Sequence, residues 1–124
     1  MQRIHPRERL ACAMELLGGA KVVADIGCDH GRLSCALVQS GRAEHCIAVD
    51  ISAPSLKKAE KLAAQLGVSD RVETRLGDGL APLATGEADA LAILGMGGTL
   101  MTRILEAVKT PLAGASLCVL QPMR

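Results

Sequence analysis

The chain reads as an α/β domain: a doubly wound parallel sheet in the strand order 3-2-1-4-5, with helices on both faces. Three observations predict it. Short apolar runs at Val22 to Ile26, His45 to Asp50 and Ala88 to Leu94 are too uniformly hydrophobic for half-exposed strands, and suit strands covered on both sides. Segments of helical periodicity alternate with them at a spacing that right-handed crossovers require. The special residues (Asp25 to Gly31, Asp50, Asp78 and Gly95 to Gly98) all fall at the carboxyl ends of strands, where an open sheet of this kind binds ligands.

In chain order, Pro6 to Leu17 predicts a helix, with Leu10, Met14 and Leu17 on one stripe and Gly18-Gly19 as the stop. The strand Val22 to Ile26 follows, then a glycine loop, Gly27 to Gly31, and a helix from Arg32 to Ser40 ended by Gly41. A second strand runs from His45 to Asp50. Ser52 is the expected N-cap of the next helix and Pro54 lies in its first turn, with Leu56, Ala59, Ala63 and Leu66 as the buried stripe and Gly67 as the end. Arg71 to Leu76 alternates in character, as an edge strand does. After the turn Gly77-Asp78-Gly79 come a strand over Ala88 to Leu94, a helix over Thr99 to Val108 that stops before Pro111, and a last strand over Ser116 to Leu120.

At 124 residues the chain is one domain, residues 1–124. It is 49% apolar yet has no Phe, Tyr or Trp, so the core is aliphatic and aromatic stacking on nucleic acid bases is ruled out. A formal net charge of +1 is neutral ground. The basic start (Arg3, His5, Arg7, Arg9) suits either phosphate contact or a solvated turn. Five cysteines without a CxxC pair read as reduced thiols of a cytoplasmic protein. No signal peptide, membrane span or metal-ligand spacing is expected.

The chemistry is concentrated in the first loop. Strand, glycine loop and helix bring backbone N–H groups and a helix N-terminus up to a ligand. A loop built for pyrophosphate avoids negative side chains, yet here Asp25 ends the strand and Asp29 sits inside the loop. That pair suits a ligand with cationic groups. S-adenosylmethionine carries a sulfonium and an ammonium, with one carboxylate for the helix end. A nicotinamide dinucleotide would use the same loop and Asp50, but it calls for Gly-x-Gly-x-x-Gly, whereas the chain has Gly27-x-x-x-Gly31 with Asp29 in place of the middle glycine.

The remaining tips carry weaker signals. Asp50, about twenty residues past the loop, is placed to accept both ribose hydroxyls, or else to serve as a turn or N-cap residue. Asp78 can accept from an adenine amino group or be an ordinary turn residue. Gly95 to Gly98 allows close approach of a substrate or makes a tight strand-to-helix turn. Cys28 is a ligand contact or a small space-filler; His30 is a ligand contact or a cap for the helix that follows.

Several stretches together resemble the bacterial tRNA (adenine-N1)-methyltransferase family. They are Asp25-Ile-Gly-Cys-Asp-His-Gly31, Ala48-Val-Asp50, Asp70-Arg-Val, Arg75-Leu-Gly-Asp-Gly-Leu80, Gly95-Met-Gly-Gly98 and Leu120-Gln-Pro122. The resemblance covers nearly the whole chain. It implies a Rossmann-like class I domain using S-adenosylmethionine to methylate adenine N1, at nucleotide 22 in the D-arm of tRNA. Family members are roughly twice as long, so the later strands and a helical, coiled-coil C-terminal domain are expected to be missing here. Two positions depart from the family pattern: Arg32, often aromatic, and Ser34, often proline.

The residues and the resemblance together give the expected site set. By its place in the loop and by the resemblance Asp29 is the candidate catalytic carboxylate, or else a loop Asp that bonds its own backbone. The cofactor lies against Asp25, Gly27, Cys28, His30, Gly31, Asp50, Ile51, Gly77, Asp78, Gly79 and Gly95, and tRNA against Arg7, Arg9, Arg32, Met96, Gly97 and Gly98. Adenine N1 already has a lone pair, so the reaction needs positioning and charge stabilisation more than a general base. No Asn/Asp-Pro-Pro-aromatic tetrad follows the fourth strand, which disfavours methylation of an exocyclic amine. Two other readings stand beside this one: a cofactor-binding module without activity of its own, and a dinucleotide-binding domain.

Overall fold

A computed structural model describes residues 19–79, 81–84, 86–96 and 117–122. The helices expected over Pro6 to Leu17 and Thr99 to Val108 lie outside the described residues, as do Arg7, Arg9, Gly97 and Gly98.

Five strands form one sheet: β1 (Val22–Ile26), β2 (His45–Asp50), β3 (Val72–Leu76), β4 (Ala90–Met96) and β5 (Leu117–Pro122). Every pairing is parallel and the order is β3-β2-β1-β4-β5, as the alternation of strands and helices predicts. Helix α1 (Arg32–Gln39) connects β1 to β2, and α2 (Ala53–Gln65) connects β2 to β3. No helix among the described residues is long and apolar enough to cross a membrane.

Alternation along the strands sorts the core into two layers. Val23, Cys46, Ala48, Val72, Ala90 and Ala92 face α1 and α2, where Leu33, Leu37, Leu56, Ala59 and Ala63 complete one buried cluster. Ala24, Ile26, Ile47, Val49, Leu91 and Ile93 form the other, joined by Leu83 and Ala88 from the connection before β4. With no aromatic side chain available, the core relies on many small aliphatic groups. Each fully buried Ile or Leu, such as Ile26, Leu37 and Ile93, contributes about 1.5–3 kcal/mol.

Ser52 caps α2 as expected, its hydroxyl accepting from the Ser55 amide at 3.3 Å, with Pro54 in the first turn. Leu66 departs from expectation: it is the C-cap residue and 36% exposed, so the buried stripe ends at Ala63. Strand β4 starts and ends two residues later than the apolar run suggests. At its start, Asp89 exchanges bonds with Val22, its carboxylate accepting the Val22 amide at 2.9 Å and its own amide donating to the Val22 carbonyl at 2.8 Å. At its end, pairing with β5 runs on past an irregularity between Leu94 and Met96, where Gly95 absorbs the shift.

Register brings the carboxyl ends of the first three strands level. Ile26 lies opposite Val49, and Asp50 opposite Leu76. The loops after β1, β2 and β3 therefore meet at one edge of the sheet.

Candidate functional site

The loop after β1 bends at once toward β2. The amides of Gly27 and Cys28 both donate to the Val49 carbonyl, at 2.8 and 3.0 Å. Asp29 then adopts φ +56°, the left-handed region that glycine favours and that Asp tolerates better than most residues. The position where the loop lacks a middle glycine thus keeps a glycine-like backbone. Gly31, at φ +76°, ends the loop and precedes α1. A Cβ there would sit 2.6 Å from the Ala59 Cβ, so glycine is what lets α1 start flush against α2.

Asp25 faces the helical layer from beneath this loop and is 2% exposed. The Ser34 hydroxyl donates to its Oδ2 at 2.8 Å, and the Ser34 amide donates to it as well. The carboxylate thus caps the first turn of α1, which has no side-chain cap from Gly31. Burial pushes Asp25 up from 3.8 to about 6; the Ser34 bonds pull it down, and the charges of Asp50 and Asp29 add to the rise. The helix end expected to receive a ligand carboxylate already holds a carboxylate of the protein.

Asp50 ties two loops together. Its Oδ2 accepts the Asp29 amide at 3.1 Å and its Oδ1 accepts the Ser52 amide at 2.9 Å. Each oxygen keeps a second acceptor position. The Asp50 carbonyl in turn accepts the Gly77 amide at 3.0 Å, which draws the third loop in beside the other two. Ile51, next in sequence, is 73% exposed, a large apolar side chain standing at this edge.

The other expected residues distribute as follows. The Asp29 carboxylate is open to solvent, with His30 Nε2 3.6 Å from its Oδ1. Cys28 is buried in the helical-side cluster, and its thiol is pushed well above the usual range by burial and by the carboxylates of Asp25, Asp50 and Asp29. It fills space. Arg32 is exposed at the start of α1. Asp78 is exposed on the turn after β3, flanked by Gly77 and by Gly79 at φ +60°. Gly95 and Met96 belong to β4 rather than to a loop. Among the described residues no group of three or more His, Cys, Asp and Glu side chains could hold a metal ion.

Two contributors escape a reading of the sequence. Ser34 offers one faint hint, a hydroxyl within a buried helical stripe. Arg75 offers only its i−2 neighbour Glu73 on the same strand, because its other partners, Pro82 and Glu87, are brought to it through an irregular connection.

These elements create an edge that carries the exposed Asp29 carboxylate, the Asp50 bridge between two loops and the exposed Ile51 side chain, with the Asp25 carboxylate buried beneath it. Residues 7–124 match a family model described as a methyltransferase domain. The chain belongs to that methyltransferase domain family. This methyltransferase domain is 38% identical over 122 residues to a Bacillus subtilis tRNA (adenine(22)-N(1))-methyltransferase, a match covering 98% of the chain and 51% of the relative. The crystal structure of the B. subtilis tRNA methyltransferase TrmK superposes with a TM-score of 0.81 at 35% identity, covering 98% of this chain and 51% of that one. Streptococcus pneumoniae Sp1610 in complex with S-adenosyl-L-methionine superposes with a TM-score of 0.86 at 31% identity, covering 93% and 54%. The methyltransferase domain described here thus spans about half the length of the relatives it matches.

Proposed function

We propose that residues 1–124 form the S-adenosylmethionine-binding, Rossmann-like domain of a tRNA methyltransferase acting on adenine N1 at nucleotide 22 of the D-arm. The observation that carries this reading is the convergence of Asp25, Asp29 and Asp50 at the edge where β1 and β2 end. A sulfonium and an ammonium are attracted to that field, whereas the pyrophosphate of a dinucleotide is repelled. The named relatives above supply the substrate class.

When bound, S-adenosylmethionine supplies an electrophilic methyl group. Asp50 retains an acceptor position on each oxygen, enough for the two hydroxyls of a ribose. Ile51 offers an apolar face to the base beside it, and Asp78 an acceptor for its amino group. Gly27 to Gly31 let the backbone come close to the amino-acid end, with Asp25 below as fixed negative charge. Asp29, solvent-facing on the loop, accepts from the exocyclic amine of the target adenine and stabilises the positive charge that spreads over the ring as N1 is alkylated. No side chain has to remove a proton from N1 before attack. In this reading Arg32, with Arg7 and Arg9, serves the substrate phosphates and Met96, Gly97 and Gly98 the target base, while Gly95 serves the cofactor.

Titration of the purified chain with S-adenosylhomocysteine and with NAD tests the cofactor. Saturable binding of S-adenosylhomocysteine alone is expected; saturable binding of NAD alone overturns the reading. Methyl transfer to unmodified tRNA, read out as N1-methyladenosine at nucleotide 22, tests the reaction.

A further inference from the structure

The turn that carries Asp78 has no regular structure to hold it, yet it is anchored. Arg75, near the end of β3, grips the connection that follows. Its Nη1 donates to the Pro82 carbonyl at 2.9 Å and to Glu87 Oε1 at 2.7 Å, and its Nη2 donates to Glu87 Oε2. Its Nε donates to Glu73 Oε2 at 2.7 Å, which fixes the plane of the guanidinium on the strand. Glu87 is bound a third time, by the Ala84 amide at 3.0 Å. Its carboxyl is held down at about 2, chiefly by the Arg75 hydrogen bonds.

Pro82, the residue whose carbonyl Arg75 holds, lies directly on Gly77. A Cβ on Gly77 would stand 2.2 Å from the Pro82 Cγ. The Ala81 amide donates to the Asp78 carbonyl at 3.1 Å, closing the turn between them. The guanidinium therefore holds Pro82 against Gly77, on the turn that carries Asp78. None of these contacts needs a ligand.

We infer that Arg75 is a positioning residue for recognition of the cofactor's base, setting the Asp78 turn through Pro82 and Glu87. This rests on the reading that the site binds an adenosyl ligand and that Asp78 accepts from its amino group. The planar fork is the reason arginine is required: a lysine has three donors on a single nitrogen and cannot span the four acceptors on Glu73, Pro82 and Glu87 that Nε, Nη1 and Nη2 reach.

The test compares Arg75→Met, Arg75→Lys and Glu87→Gln with the unaltered chain in calorimetric titrations with S-adenosylhomocysteine and with S-inosylhomocysteine, which lacks the amino group. The unaltered chain is expected to prefer S-adenosylhomocysteine. Arg75→Met and Arg75→Lys should weaken that ligand by ~10-fold, equivalent to about 1.4 kcal/mol, while changing S-inosylhomocysteine by less than ~3-fold. The preference then collapses, which loosening of the domain as a whole would not produce. Equal weakening of both ligands, or an unchanged preference, overturns the inference. Should the Arg75 variants fail to fold, Glu87→Gln, which keeps an acceptor for Arg75 and loses the charge, decides on the same ratio. Amide hydrogen exchange over residues 77–84 of the ligand-free chain gives an independent readout. It should quicken in Arg75→Met and stay unchanged in Arg42→Met, an exposed control. A ligand-free effect alongside no binding of S-adenosylhomocysteine by the unaltered chain would locate the failure in the proposed function and would overturn the recognition role with it.

Discussion

The Ser34 hydroxyl donates to the Asp25 carboxylate across 2.8 Å inside the helical layer, a fully buried polar pair between a strand end and a helix start. Burial makes this carboxylate costly when ionised, and Ser34 offsets part of that cost. The folded state therefore holds the Asp25 proton more tightly than the unfolded chain does. Between pH 3.8 and about 6 the native form binds more protons, so this group's contribution makes stability fall as pH rises through that window. The penalty is complete above it.

Asp25→Asn removes the penalty and keeps an acceptor for Ser34. Urea unfolding should show the variant matching the unaltered protein near pH 4 and exceeding it by about 3 kcal/mol at pH 8. Ser34→Ala should act in the opposite sense, costing about 1–3 kcal/mol at pH 8 and less at pH 5, where Asp25 is more protonated. A difference between Asp25→Asn and the unaltered protein that does not vary with pH would show that Asp25 is not the titrating group. Asp25→Asn should also bind S-adenosylhomocysteine more weakly, since it removes negative charge from beneath the loop.

Gly31→Ala meets two obstacles at once, a backbone at φ +76° and an overlap with Ala59 at 2.6 Å. Together they should cost roughly 2–4 kcal/mol in unfolding free energy. Ala59→Gly in the same chain should recover the overlap but not the backbone strain. A double-mutant cycle by urea unfolding should give a coupling of about 1 kcal/mol or more, and purely additive effects would place the cost in the backbone alone.

Asp50 joins structure to binding, so its variants separate the two. Asp50→Ala strands the amides of Asp29 and Ser52 and should cost about 1 kcal/mol of stability. Asp50→Asn, which can still accept one of them, should cost less. Both should weaken S-adenosylhomocysteine at least ~100-fold by calorimetry, about 2.7 kcal/mol. Unchanged affinity in the Asn variant would mean that no ribose hydroxyl rests on this side chain.

Asp29→Asn keeps a residue that tolerates the left-handed region and leaves the backbone amide on Asp50. Stability should move by less than about 0.5 kcal/mol. Affinity for S-adenosylhomocysteine should stay within a few-fold, while methyl transfer to tRNA, assayed in the full-length protein, should fall by ~100-fold or more. Full activity in the variant would remove Asp29 from the mechanism.

Much of this was legible along the chain because strands buried on both faces announce themselves as apolar runs and glycine marks where they turn. The limits of β1 and β2, the Ser52 cap, the strand order and the gathering of Asp25, Asp29 and Asp50 at one edge all follow from local pattern and the handedness of crossovers. Three-dimensional packing alone decided what those side chains do there: Asp25 turned under α1 to Ser34, Asp50 bridging two loops, Gly31 pressed on Ala59, and Arg75 reaching Pro82 and Glu87. Periodicity tells which face a residue occupies. Its partner is set by how closely a second element, distant in sequence, comes to rest against that face.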